Sequence, residues 1–333
     1  MKYQVFEFWH PLERVKPKID ELYTQRFDKV IMYGPHEWSY WDSYYWHELD
    51  KACYETNHEL IVVTGSAEFY SDEEPKNKAN VKIVTWPTHF FSRTYVHLEP
   101  IHTGFPEVNQ FQHHYAFMNY QPRYWRCMLM DLVAKHKLIH WAAVTWHKPD
   151  TDVYQWKYWK PRLMQLSDKS FTQTKNQNIL PIEYYQSFAQ LVSETRVDTM
   201  FLSEKTVTPI FMGKPFLAAS CINYHAFLEK LGFKLYDEIF DYSFDTEPDM
   251  EKRFEMLLEN FKRLTKLPLS ELPKLKEKVQ EKLDYNKKLA YDIVFDYNLY
   301  PDVVKELVDI YKKDGTVMNG ILVDMYQKVF ETK

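Results

Sequence analysis

The sequence is poor in cysteine and in long apolar runs, and each scarcity excludes a class of protein. Its 333 residues include three widely separated cysteines. An odd number without short spacings argues against a disulfide framework or a zinc site, so we expect free buried thiols at Cys53, Cys127 and Cys221. No apolar run approaches the roughly 20 residues that a membrane-spanning helix needs. Glu7 stands where a signal peptide would be apolar, so we expect a cytoplasmic protein.

An excess of positive charge is also lacking. The formal net charge is −5 and the isoelectric point is about 6.2. Proteins that bind nucleic acid non-specifically usually carry a basic footprint. The overall charge balance therefore disfavours a nucleic-acid partner, although it leaves a local basic patch open.

Glycine is scarce, whereas aromatic residues are abundant. The chain has seven glycines, 10 tryptophans and 25 tyrosines, and aromatics make up 17% of it. Rings with a polar atom suit the walls of sugar and base sites, because a ring face packs on C–H surface or on another π-system. The alternative explanation is ordinary burial in the core.

Short apolar runs alternate with helical patterns along the first half of the chain. Strands are predicted at residues 3–9, 30–33, 59–64 and 81–85. Helices are predicted at residues 15–23 and 41–54, the first because Val15, Ile19, Leu22 and Tyr23 form one stripe. This β-α-β rhythm predicts a doubly wound, mainly parallel sheet in an α/β protein.

The second half repeats the same logic and then becomes helical. Strands are predicted at 115–120, 141–144, 188–193 and 215–219, and helices at 123–136, 204–212, 224–231, 249–264, 272–295 and 303–311. The polar and aromatic stretch 148–182 has no clean period, so we expect a long loop or inter-domain connection there. We therefore predict an N-terminal domain at 1–150, a second domain at 151–248, and a helical tail at 249–333 that packs across both.

The chemically informative residues follow the strand predicted at 188–193. Glu194 lies at the carboxyl end of that strand, where open α/β sheets bind ligands. Ser203 is a candidate N-cap for the next helix. The start of a helix offers free N–H groups and a positive dipole end, which suit a pyrophosphate. Glu204 has the chemistry to accept hydrogen bonds from ribose hydroxyls, and Lys205 to bind a phosphate.

Five motifs succeed one another between residues 117 and 245. They are Pro122-Arg123 with Arg126, Val192–Thr195, Ser203–Thr206, Leu231–Phe233 and Asp241–Asp245. The segment resembles the donor-binding region of GT-B glycosyltransferases. Ser203–Lys205 followed by Met212–Phe216 is similar to a pattern of the fucosyltransferase family. The order of the motifs resembles more closely a family of phage- and virus-encoded glycosyltransferases, in which Thr replaces Ser203 and Tyr replaces Phe244.

This resemblance implies two Rossmann-like domains in the GT-B arrangement and a location in the host cytoplasm if the protein is phage-encoded. It implies a nucleotide sugar, such as a UDP-sugar, as co-substrate and no further cofactor. The donor-binding residues it implies are Arg123, Arg126, Ser193, Glu194, Thr195, Ser203, Glu204, Lys205 and Thr206. We expect one or both arginines to reach the diphosphate across a cleft, because guanidinium groups match phosphate oxygens.

Sugar transfer also needs a base that deprotonates the acceptor hydroxyl. We predict Glu37, because the turn Gly34-Pro35 between a buried strand and an aromatic cluster would expose it. The other candidates in loops after the first strands are His10, Asp42, Glu68 and His89. Asp150-Thr151-Asp152 has the letters of a metal-binding motif, but we assign it to a turn. We therefore predict that the chemistry is metal-independent and that no residue is a metal ligand.

Two acceptor classes stay open. One is a hydroxymethylcytosine-type base in phage DNA, which the aromatic first half would hold after base flipping. The other is a surface glycan or protein. A different hypothesis is a non-catalytic module that binds a nucleotide or a sugar, which would keep Glu204 and the aromatic residues but would need no base.

Overall fold

The computed structural model describes residues 2–7, 11–34, 45–64, 66–67, 79–86, 110–119, 121–147, 152–164, 166 and 180–314. The chain divides into two compact units. The first unit combines residues 1–92 with residues 292–333, and the second is the continuous segment 93–291. The protein is a mixed α/β structure with parallel sheets, as the sequence predicts.

The first unit contains a parallel sheet whose strand order follows the chain. Its strands are β1 (Tyr3–Glu7), β2 (Lys29–Gly34), β3 (Glu59–Thr64) and β4 (Asn80–Thr85). They pair in the order β1-β2-β3-β4. The reversal of direction that defines a doubly wound sheet is therefore absent from the described strands of this unit. Periodicity predicts strands well, but it carries no information about their order.

Helices α1 (Leu12–Thr24) and α2 (Trp46–Glu55) supply apolar faces to this sheet. Val15, Ile19 and Leu22 are buried together with strand residues such as Val30, as the helical stripe predicts. The last part of the chain also belongs to this unit. Its helix α9 (Asp302–Asp314) lies in the first unit, and the Nζ of Lys29 contacts the carboxylate of Glu306 at 2.6 Å.

The second unit contains a parallel sheet in which the chain reverses direction. Its strands are β5 (His113–Asn119), β6 (Ala142–Trp146), β7 (Ser187–Ser193) and β8 (Phe216–Ala219). Their order is β8-β7-β5-β6, so the chain starts at β5, adds β6 on one side, and returns to add β7 and β8 on the other. This sheet is doubly wound, and its switch point lies between β5 and β7.

Six α-helices described in the second unit surround this sheet or follow it. They are α3 (Tyr124–Lys135), α4 (Ile182–Tyr185), α5 (Glu204–Phe211), α6 (Tyr224–Lys230), α7 (Met250–Leu264) and the first part of α8 (Leu272–Phe295), with a 3₁₀ turn at Ser243–Thr246. Gly232 has φ +95° and ends α6, which confirms the predicted C-cap. The three cysteines are buried free thiols, as expected. None of the described helices is both long and apolar enough to cross a membrane.

The stretch predicted as a long loop or inter-domain connection is described at residues 152–164, which form a loop without helix or strand and lie within the second unit rather than between two units. The buried carboxylate of Asp131, on α3, accepts hydrogen bonds from the backbone N–H groups of Lys157, Tyr158 and Trp159 at 2.7–2.9 Å. Trp159 also packs edge-on against Trp146 of β6, with ring centroids 5.2 Å apart. The carboxylate of Asp131 and the contact between Trp159 and Trp146 hold residues 152–164 in place, although this loop contains no helix or strand.

The division of the chain therefore differs from the predicted boundaries. Strands β5 and β6, expected in a domain at 1–150, belong to the sheet that contains β7. The residues expected to form one helical tail at 249–333 divide as well, since residues up to 291 belong to the second unit and later ones to the first. A β-α-β pattern looks the same in whichever sheet its strands pair, so the sequence pattern left the boundary undetermined.

Candidate functional site

The switch point of the second sheet collects most of the predicted site residues. The chain leaves β5 through residues 121–123 into α3, and leaves β7 through Glu194 and Thr195 toward α5. Because the two strands are neighbours and run parallel, both exits lie at the same edge of the sheet. In open α/β sheets this is the edge where ligands bind.

The two predicted arginines connect these exits. The Nη1 of Arg123 donates to the carbonyl oxygen of Thr195 at 2.6 Å, and the Nη2 of Arg126 lies 3.4 Å from the carbonyl oxygen of Glu194. Arg126 also donates to the carbonyl oxygen of Gln121. The expectation that the arginines reach the site across a cleft from another domain is therefore wrong. They lie in the same unit as Glu194, because β5 and β7 are adjacent strands.

The arginines differ in what they leave available to a ligand. Arg126 is 4% exposed, and its hydrogen bonds connect the start of α3 to the loop after β7. Arg123 is half-buried, with its guanidinium carbon 5.5 Å from the ring centroid of Trp125. The indole N–H of Trp125 in turn donates to the carbonyl oxygen of Glu194 at 3.2 Å. Arg123 is thus the arginine that is placed to meet an anion.

Glu194 is fully buried, and protein groups satisfy both of its oxygens. Oε2 accepts from the Thr195 N–H at 2.7 Å and the Ser203 hydroxyl at 2.5 Å. Oε1 accepts from the Ser203 N–H, the Thr206 hydroxyl and the Tyr224 hydroxyl at 3.2, 2.6 and 3.0 Å. With five donors around it, this carboxylate positions the loop and leaves no vacant lone pair for a ligand.

The start of α5 is already capped from within. Ser203 is the N-cap, as predicted, and its Oγ accepts from the Lys205 N–H at 3.2 Å. The negative charge that a helix start attracts is supplied by Glu194 behind it. The position expected for a pyrophosphate at this helix end is therefore filled by the protein's own carboxylate.

Glu204 and Lys205 form an ion pair at the rim of this network. The Nζ of Lys205 lies 2.5 Å from Oε1 of Glu204 and 2.9 Å from Oγ1 of Thr195. The side chains of Glu204 and Lys205 are 39% and 26% exposed. Desolvation raises the pKa of Glu204, but the charge and hydrogen bond of Lys205, with the charge of Arg126, outweigh it and keep the pKa below its ordinary value. Glu204 is therefore ionised at neutral pH and has the charge to accept hydrogen bonds from a ligand.

Asn119 and Ser193 are the final residues of β5 and β7. Continuing the register in which Ala116 pairs with Gln190 sets them side by side, on the same face of the sheet. Each is 3% exposed, and within the described chain the amide of Asn119 and the hydroxyl of Ser193 have no hydrogen-bond partner. Buried polar groups without partners are uncommon in proteins and call for an explanation. Sequence reasoning identified Ser193 but missed Asn119, although a polar residue at the end of a buried apolar strand is a usable signal.

Asp245, in the last of the five motifs, has a structural task. Its carboxylate accepts from the N–H groups of His225 and Ala226 at 3.0–3.1 Å, and so caps α6. It also contacts Nδ1 of His225 at 2.8 Å, while Nε2 of His225 accepts from the Ala218 N–H. Because Nε2 is an acceptor, Nδ1 carries the proton and the ring is neutral. Both ring nitrogens are consumed by the fold, so this pair is not an acid–base dyad for a ligand.

The predicted base lies outside the described residues. This holds for Glu37 and for the other candidates His10, Asp42, Glu68 and His89, as well as for Asp150. Asp152 is described and is exposed. Among the described residues, no group of three or more His, Cys, Asp or Glu side chains lies together as a metal site would require. Metal-independent chemistry and the role of Glu37 stay predictions.

No protein-family model and no curated protein matches the chain. Among solved structures, it is similar to the DNA modifying enzyme beta-glucosyltransferase, whose crystal structure was determined with and without the substrate uridine diphosphoglucose. The identity is 9%, the TM-score is 0.31, and the similarity covers 87% of this chain and 99% of that one. At this TM-score the function has to be inferred from the chain's own residues.

Proposed function

We propose that this chain is a glycosyltransferase that binds a nucleotide-sugar donor at the carboxyl edge of the second sheet. One observation carries the proposal. Three kinds of polar group meet at the switch point. Glu204 is an ionised acceptor, and Lys205 and Arg123 are cations. The side chains of Asn119 and Ser193 are neutral and have no hydrogen-bond partner among the described residues. These three chemistries complement the ribose hydroxyls, the diphosphate and the sugar hydroxyls of one donor.

The proposed roles separate residues that touch the donor from residues that hold them. Glu204 accepts hydrogen bonds from the ribose, and Lys205 and Arg123 bind the diphosphate. Asn119 and Ser193 offer both donors and acceptors, as sugar hydroxyls require. The remaining predicted residues are positioning residues beneath this layer. They are Arg126, Glu194, Thr195, Ser203 and Thr206.

The finer proposal is a GT-B enzyme with two Rossmann-like domains, whose first unit receives the acceptor and supplies Glu37 as the base. The proposed reaction needs no metal ion. A hydroxymethylcytosine-type base in DNA and a surface glycan or protein stay open as acceptors. The similarity of Ser203–Thr206 and the other motifs to phage- and virus-encoded glycosyltransferases supports sugar transfer.

Isothermal titration with UDP and GDP tests the donor site. We expect Glu204→Ala to weaken nucleotide binding by about 1–3 kcal/mol, because a charged hydrogen-bond partner is lost. Glu229→Ala, on an exposed position of α6, is the matched control and should bind as the wild type does. Unchanged affinity of Glu204→Ala would remove the ribose-binding role.

Mass spectrometry after incubation with a panel of nucleotide sugars tests the reaction itself. The panel is run with DNA that contains hydroxymethylcytosine, with a glycan mixture, and without acceptor. A mass increase of one sugar on an acceptor supports transfer and identifies the acceptor class. Tight nucleotide binding with neither transfer nor donor hydrolysis would instead identify a non-catalytic binding module.

A further inference from the structure

A cavity of about 110 Å³ lies at the opposite edge of the second sheet from the proposed donor site. Its walls come from Phe111, Tyr185, Phe188, Gly213, Lys214 and Lys276. Phe111 precedes β5, Phe188 lies near the start of β7, and Lys214 precedes β8, so the cavity lies at the amino ends of three adjacent strands. Seven residues of β7 at roughly 3.3 Å each separate it from the donor edge by about 20 Å.

Two lysines line this cavity without a counter-charge. Lys214 is 6% exposed, its Nζ donates to the carbonyl oxygen of Ser187, and it lies 5.0 Å from the ring centroid of Tyr184. Lys276 reaches the cavity from α8. Within the described chain, neither lysine forms an ion pair with a carboxylate. Burial, together with the smaller effect of the Lys276 charge, lowers the pKa of Lys214 to about 7.

A buried ammonium group without a counter-charge is costly, because it loses its hydration and is solvated only by nearby dipoles. This cost favours the neutral form of Lys214, whereas a bound anion would favour the protonated form. A carbonyl oxygen and an aromatic face satisfy part of the charge of Lys214. A bound anion would supply the missing charge and would serve both lysines at once. The cavity holds several water volumes, since one water occupies about 30 Å³ in the liquid, so a tetrahedral oxyanion fits.

The backbone beside the cavity has the geometry to keep this space open. Gly213 has φ +56° in the left-handed region, where it ends α5. A side chain at this position would meet no atom within 4 Å, so the glycine faces open space. The backbone N–H of Lys214 donates to the carbonyl oxygen of Pro209, and its Nζ donates to the carbonyl oxygen of Ser187. These two hydrogen bonds fix the orientation of Lys214 at the edge of the sheet.

We propose that this cavity is an anion site in which Lys214 and Lys276 bind one phosphate group. The site is distinct from the proposed donor site, and the proposal stands whether or not the chain transfers sugars. The phosphate is either free inorganic phosphate or the terminal group of a phosphate monoester, because both present the same tetrahedral oxygens to the lysines.

Thermal unfolding of the full chain in rising inorganic phosphate tests the site. Sodium chloride at matched ionic strength corrects for screening, and glycerol phosphate distinguishes a monoester ligand from free phosphate. We expect a saturable rise in Tm for the wild type and for Lys276→Arg. Lys276→Met and Lys214→Met should lose at least tenfold in phosphate affinity. Lys278→Met, at an exposed position of the same helix, should respond as the wild type does.

Three outcomes would overturn the proposal. The first is a phosphate response that Lys276→Met and Lys214→Met share fully with the wild type. The second is a response that chloride reproduces at the same ionic strength. The third is the absence of a saturable rise in Tm in the wild type. Under the first outcome, loss of the response in Lys205→Met would place the phosphate at the donor edge. Lys276→Met keeps the test informative if Lys214→Met fails to fold, because Lys276 is only half-buried.

Discussion

At the scale of single residues, buried polar groups of the second unit differ in whether the protein supplies their hydrogen-bond partners. Glu194, Asp131 and Asp245 each have a full set of partners. Asn119 and Ser193 have none for their side chains among the described residues, and they occupy the switch point. Burying a polar group without a partner destabilises the folded protein, and such groups are found at sites where they serve a function.

The substitution Asn119→Leu tests this distinction. Removing an unsatisfied amide should raise the free energy of unfolding of the ligand-free protein by roughly 1–3 kcal/mol, whereas affinity for a nucleotide sugar should fall. Urea unfolding with and without UDP-glucose measures both effects. Substituting a purely structural residue would lower stability, so higher stability together with lower affinity would identify Asn119 as a ligand-binding residue.

Asn286→Leu is the matched control. Asn286 is also buried, but its amide bonds to both the N–H and the carbonyl oxygen of Lys234 and to the hydroxyl of Tyr236. Its substitution should therefore lower stability and leave nucleotide affinity unchanged. If Asn119→Leu is destabilised as strongly as Asn286→Leu, then Asn119 has a structural partner and the sugar-binding role fails.

At the scale of elements, periodicity and capping residues predicted most helices and strands to within about two residues. The strand predicted at 59–64 and the helix predicted at 272–295 match the structure at both ends. The N-cap at Ser203 and the C-cap at Gly232 were also predicted. These features depend on neighbours in the chain, so the sequence carries them directly.

What the sequence did not indicate is which group meets the start of α5. Ser203, Glu204 and Lys205 read as an open anion site, whereas the buried carboxylate of Glu194 fills that position. Glu194 comes from the end of a different strand, and its approach depends on how β7 and α5 pack. Local pattern predicts that a helix start exists, but tertiary packing decides what caps it.

Glu194→Gln measures how much of this element the carboxylate holds. An amide replaces one acceptor oxygen with a donor and faces the Ser203 and Thr206 groups that donate to it, so stability should fall by roughly 1–3 kcal/mol. Ser203→Ala should cost about 1 kcal/mol, the usual value for an N-cap. Chemical denaturation measures the free energy of unfolding of both variants and shows which substitution costs more. The exposed Glu229→Gln is the control. Equal stability of Glu194→Gln and wild type would show that the network is dispensable.

At the scale of the whole molecule, the sequence predicted an α/β protein but misassigned its strands. Strands β5 and β6 were placed in the N-terminal half. They pair with each other, and β5 also pairs with β7 through contacts between residues about 70 positions apart, as between Ala116 and Gln190. The consequence is functional. Arg123 and Lys205, expected on opposite sides of a cleft, share one unit through their bonds to Thr195. Domain closure is therefore not required to bring the two cations together.

This arrangement predicts that residues 93–291 fold as an independent fragment and keep nucleotide binding. The fragment is continuous and contains the whole second sheet together with Arg123, Glu204 and Lys205. The first unit is discontinuous, because Tyr300, Val304 and Leu307 from the end of the chain are buried in it. Residues 1–92 alone should therefore lack a complete core, whereas 1–92 linked to 292–333 should regain it.

Circular dichroism during thermal unfolding and titration with UDP check both halves of this prediction. We expect cooperative unfolding of fragment 93–291, and UDP affinity within about tenfold of the full chain, a difference of at most roughly 1.4 kcal/mol. The fragment 1–92 should unfold without a cooperative transition, since it lacks the buried apolar side chains of residues 294–308. A folded fragment 93–291 that has lost UDP binding would mean that the first unit contributes to the donor site. In that case the cations in the second unit would be insufficient, and closure of two domains on the nucleotide would again be needed.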